Sequence, residues 1–153
     1  MAHDASKNED VMIITFGTLI GGSGANSRRW EEAIWGLSRR IDCVARDLTA
    51  SLKLNVVFHI PGNMLKPEFS GVRTSTYFRK LAVLMIQVAL PEERAEDERA
   101  YIKQVTHLAI DEAAHWALKR RLEFDVGLFH DIVERAEEVN GFNSIVPLAE
   151  LQS

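Results

Sequence analysis

The sequence predicts a single layered α+β domain, in which two or three helices pack on a mixed sheet of three or four strands in the order β-α-β-(β)-β-α-α. Three observations lead there. Residues 27–52 carry one unbroken apolar stripe at steps of three and four, the signature of a helix with one buried face. Short apolar runs rich in β-branched residues flank it, closed off by glycine and proline. Helical spacing then returns from Glu92 to the C-terminal region.

Taken in order, residues 1–10 ("MAHDASKNED") hold too little apolar content to pack and read as a flexible tail. "VMIITFGTLI", residues 11–20, reads as the first strand. The helix "SRRWEEAIWGLSRRIDCVARDLTASL" follows, its stripe made by Trp30, Ile34, Leu37, Ile41, Val44, Ala45, Leu48 and Leu52. "NVVFHI", residues 55–60, is a second strand, stopped by Pro61-Gly62. A strand, a helix and another strand in succession favour a right-handed crossover.

Residues 61–73, with two prolines and two glycines, form an irregular connector, and "TSTYFR" reads as a short strand or hairpin arm. "LAVLMIQVAL", residues 81–90, is apolar at nearly every position, as in a strand covered on both faces, and Pro91 ends it. A helix from Glu92 to about Leu122, with an irregular first turn, precedes a shorter one, "GLFHDIVERAEEVN", for which Gly141 is the stop. The domain thus spans residues 11–145, with a C-terminal tail at 146–153.

Composition narrows the function classes. A chain of 153 residues favours one domain with a substantial core. Eighteen Lys and Arg against 22 Asp and Glu give a net charge of −4, which opposes the broad cationic field of a nucleic-acid binder. With Cys43 alone, no intrachain disulfide forms, and the chain suits a reducing compartment. The longest apolar run falls short of the roughly 20 residues that span a bilayer, and the polar N-terminus lacks a signal-peptide pattern. The expectation is a cytoplasmic chain away from membranes.

"GGSGANSRRW", residues 21–30, lies between a strand and a helix, where phosphate loops occur. Its glycines match neither G-x-G-x-x-G nor a loop ending in G-K-[ST]. It reads as a tight turn, with Asn26 or Ser27 capping the helix, and Arg28 and Arg29 left to attract an acidic group on a partner.

Glu112 and His115 have the Glu-x-x-His spacing of di-iron bundles, without the second pair such a site needs. His107 and Asp111 stand one turn apart without an evident third ligand, and H-E-x-x-H is absent. The expectation is no metal and no cofactor. Glu112 falls among Tyr101, Val105, Leu108, Ala109 and Trp116 on the wheel, near the centre of the apolar face. Such a carboxylate needs a partner, whether His59, Arg73 or a neighbouring backbone group, or it becomes a general base beside His115 or His59. Otherwise His59 reads as a satisfied strand residue and His130 as a solvated helix position.

With Trp30 directed inward, Trp35 falls on the opposite side of the first helix, near Arg28, Arg39, Asp42 and Arg46. An aromatic ringed by arginines is a recurring hot-spot composition. Phe69, Val72 and Arg73 in the connector offer a second recognition surface.

The stretch "NVVFHIPGNMLKPEFSGVRTSTYFRKLAVLMIQVALPEE" with its flanking helices, across residues 11–122, resembles the small α+β immunity proteins of bacterial polymorphic-toxin systems. The resemblance rests on size and element order and carries over no functional residue. It implies a cytoplasmic protein without catalytic activity that binds and blocks a cognate toxin. Two other readings stand beside it. One is a small enzyme using Glu112 as base. The other is a structural homodimer whose strand 81–90 is covered by a second subunit.

Overall fold

The computed structural model describes residues 12–20, 25–60, 71–91 and 97–138. It forms one four-stranded mixed sheet and three helices, an α+β fold. In chain order these are β1 (Ile14–Ile20), α1 (Ala25–Val44), β2 (Lys53–Ile60), β3 (Gly71–Phe78), β4 (Val83–Ala89), α2 (Glu98–Lys119) and α3 (Val126–Glu138). The sheet order is β1-β2-β4-β3. β1 and β4 run parallel to β2, one on each side, and β3 pairs antiparallel with β4.

The apolar pattern of each strand fixes which face meets the helices. In β2, Leu54, Val56, Phe58 and Ile60 are buried, while Lys53, Asn55, Val57 and His59 between them are only half-buried. The buried set joins Trp30, Ile34, Leu37 and Ile41 of α1 and Ile102, Ala109 and Ala113 of α2 in one core. Phe16 and Phe58 meet edge to face at 5.3 Å across β1 and β2. α3 packs on both other helices through Phe129, Ile132, Val133 and Ala136, all fully buried. Each large side chain buried this way contributes about 1.5–3 kcal/mol.

β4 differs from the expectation of a strand covered on both faces. Leu84, Ile86 and Val88 are buried, but Val83, Met85 and Gln87 are half-buried. The helices cover one side, and β2 and β3 occupy both edges. A second subunit would therefore have to sit on the half-buried face, since β4 offers no free edge.

α1 is shorter at its end and earlier at its start than its stripe suggests. It begins at Ala25, so Asn26 and Ser27 lie inside the first turn instead of capping it. It stops at Val44, where Asp47 adopts φ 67° and the Leu48 amide turns back to the Ala45 carbonyl at 3.0 Å. Leu52 still reaches the core from the following loop, which is why the stripe outruns the helix. Residues 61–70 and Gly141 fall outside the described residues.

α2 is bounded by local hydrogen bonds. The Asp97 carboxylate accepts from the Ala100 amide at 3.1 Å and caps its start. At its end the Leu122 amide reaches the Ala117 carbonyl at 2.9 Å and the Arg121 amide reaches the Leu118 carbonyl at 3.2 Å, a Schellman turn. Arg121 takes φ 55° to close it, a position that favours glycine. The Asp125 carboxylate then caps α3 through the Leu128 amide at 3.1 Å.

Candidate functional site

Five residues advance a helix by about 500°, which leaves Trp35 about 140° round from Trp30, so the two cannot share a face of α1. Trp30 is buried and packs on Tyr101 at 5.4 Å, whereas Trp35 is 36% exposed. Around Trp35, Arg28, Glu31, Glu32 and Arg39 line a shallow cavity of about 270 Å³. Glu32 also borders a second cavity of about 340 Å³ that runs to Asp97, Glu98 and Arg99 at the start of α2. The two cavities share Glu32 between them.

The predicted constellation is thus partly assembled. Trp35, Arg28 and Arg39 come together. Arg46 is exposed in the turn after α1 and is not among the lining residues. Asp42 lies on the same strip, and partial burial pushes its carboxyl up. Arg29 finds its acidic group within the chain, pairing Nε with Glu98 Oε1 at 2.8 Å, and so anchors α1 to α2. Phe69 lies outside the described residues. Arg73 belongs to β3, and only its backbone is described.

Glu112 is not at the centre of the apolar face of α2, the place its wheel position predicts. It is exposed, as is His115 beside it. The buried face of α2 is built by Ile102, Val105, Thr106, Ala109, Ile110, Ala113 and Ala117. Three alanines set that face because they allow the helix to approach the sheet closely, while Leu108 and Leu118 stay 49% and 76% exposed. Glu112 lies about a quarter turn from the centre of the face. Thr106 occupies the middle instead, its hydroxyl donating to the Ile102 carbonyl at 2.7 Å. His59 is on the half-buried face of the sheet and pairs through Nε2 with Gln87 Oε1 at 2.6 Å. The three residues of the general-base reading therefore do not converge.

A different polar cluster does converge, and the sequence pattern held its signal. His107 and Asp111 on α2 and His130 and Glu134 on α3 are two i, i+4 pairs on antiparallel neighbours. The Nδ1 atoms of His107 and His130 lie 2.6 Å apart. His107 Nε2 meets Glu134 Oε2 at 2.7 Å, and His130 Nε2 meets Asp111 Oδ1 at 2.7 Å. Lys103 Nζ closes the chain on Glu134 Oε2 at 2.9 Å. Hydrogen bonds from Lys103 and His107 hold the Glu134 carboxyl below the usual carboxylate range. His130, expected in solvent, is instead an interhelical contact.

Among the described residues no group of three or more His, Cys, Asp or Glu side chains is arranged to hold a metal ion. A cavity of about 450 Å³ is lined by Thr49–Leu52, Glu123, Phe124, Asp125 and Leu128, with neither a histidine nor a lysine among these lining residues. No described helix is long and apolar enough to cross a membrane. Compared with family models, with curated proteins and with solved structures, the chain matches none of them.

Proposed function

We propose that this chain is a non-enzymatic protein-binding domain of the cytoplasm, acting as an immunity protein that occludes a cognate toxin with the Trp35 surface of α1. One observation carries the reading. The surface tryptophan stands 36% exposed over a shallow, charged cavity on a helix whose other face is locked into the core. A rigid aromatic beside arginines supplies contact area at low entropic cost and suits an interface centre. Arg28, Arg39 and Arg46 favour an acidic surface on the partner, and such pairing acts chiefly on the association rate. The proposed mechanism is steric: the helix covers the partner's working surface and performs no chemistry.

Coexpression with the product of the adjacent reading frame tests this. The neighbour should be toxic alone, tolerated beside this chain, and recovered in complex with it. Trp35→Ala should weaken that complex about 30-fold, the counterpart of a ~2 kcal/mol hot spot. A complex of unchanged affinity would remove Trp35 from the interface, and a harmless neighbour that does not bind would remove the immunity reading.

A further inference from the structure

Each imidazole in the seam between α2 and α3 presents one nitrogen to a carboxylate and the other to its fellow ring. Glu134 Oε2 and Asp111 Oδ1 each lie 2.7 Å from an Nε2 atom. An ionised carboxylate only accepts hydrogen bonds, so both Nε2 atoms carry protons. A neutral imidazole has one N–H. Two neutral rings donating through Nε2 would therefore point bare lone pairs at each other across the 2.6 Å that separates their Nδ1 atoms. A third proton between the rings turns that repulsion into a hydrogen bond. A fourth would set two N–H groups head to head.

We infer that His107 and His130 hold three ring protons between them, the third shared by the two Nδ1 atoms, and that this shared proton is a pH-sensitive lock joining α2 to α3. The charges around the rings fit this count. Lys103 and Asp111 face them from α2, and Glu134 from α3. One positive charge on the pair and one on Lys103 balance the two carboxylates. The rings are near neighbours, with centroids 4.8 Å apart and planes tilted by 30°. Both are part-buried, which limits competition from water.

A bound cation does not explain the spacing. Metal–nitrogen bonds of about 2.0–2.1 Å in a tetrahedral site hold two nitrogens roughly 3.3 Å apart. The lock has two ways to open. In alkali the shared proton leaves to water and the lone pairs oppose each other. In acid a second Nδ1 proton sets two N–H groups and two like charges face to face. The seam is tightest between these limits.

Long-range proton–nitrogen NMR of the labelled full chain near neutral pH counts the ring protons directly. The lock requires both Nε2 atoms protonated and a strongly deshielded proton between the Nδ1 atoms. Thermal unfolding from about pH 5 to about pH 9 gives the second readout. The wild-type midpoint should pass through a maximum and fall about 2–4 °C on the alkaline side, the scale for one lost interaction in a chain of this size. His107→Asn places a non-titrating amide near the Nδ1 position and should flatten that limb, and His130→Asn should do the same. Two ring protons instead of three, a variant profile superimposable on the wild type, or a profile shifted by a metal chelator would each overturn the lock. If neither variant folds, the proton count in the wild type decides alone.

Discussion

Among the described residues, two charged regions, one centred on imidazoles and one on an indole, deploy their charges differently. In the α2–α3 seam, His107, His130, Asp111, Glu134 and Lys103 meet one another across two helices at 2.6 to 2.9 Å. Around Trp35 the cavity is lined by residues of α1 alone, and the indole is 36% exposed. A polar cluster that bridges two elements is bound up in holding them together. One confined to a single element, as around Trp35, joins no second element and leaves its aromatic on the outer face of the helix. In the seam, His107, His130, Asp111 and Glu134 are engaged in contact between α2 and α3.

The largest expected effect tests the division of α1 into two faces. Trp30→Ala should destabilise the fold by about 3–5 kcal/mol, the range for a fully buried tryptophan, as measured by denaturant unfolding. Trp35→Ala should cost no more than about 1 kcal/mol in the same measurement, its main effect falling on partner affinity. Equal folding costs would break the contrast at its root.

A smaller change sharpens it from the other side. Arg121→Gly relieves the φ of 55° that closes α2 and should gain about 0.5–1 kcal/mol, visible as a raised unfolding midpoint. Because Arg121 lies at the end of α2, away from the residues that line the Trp35 cavity, partner affinity should not change.

The smallest effect probes the rim of the seam. The Glu134 carboxyl is lowered in the folded state by Lys103 and His107, so its contribution is present above the ordinary carboxylate value and is lost as pH falls through the depressed folded value. Glu134→Gln should cost within about 0.5 kcal/mol at neutral pH, since the pair is half exposed, and the gap from wild type should close below about pH 4. Denaturant midpoints at neutral and acid pH measure it. A gap that widens in acid would reverse the assigned sign.

Much of the fold was legible because short-range rules dominate it. The stripe from Trp30 to Val44 chose the inner face of α1 correctly, since a regular helix repeats its geometry whatever it packs against. The exposure of Trp35 followed from the same geometry. For α2 the same reasoning put Glu112 too near the core. Its large apolar residues and its small ones favour different faces, and contact with the sheet selected the alanines. The α2–α3 seam was only partly legible: His107 and Asp111 stood out as an i, i+4 pair, but His130 read as a solvated position, and their meeting depended on how α3 docks.

The sequence by itself determined the α+β class and the inward face of α1, because backbone propensity and periodicity act within a few residues. Tertiary structure alone decided that β4 lies inside the sheet, that Glu112 faces outward, and that His107 meets His130. Those outcomes depend on close packing between segments far apart in the chain. Shape complementarity at that range is a property of two surfaces together and is written in neither segment alone.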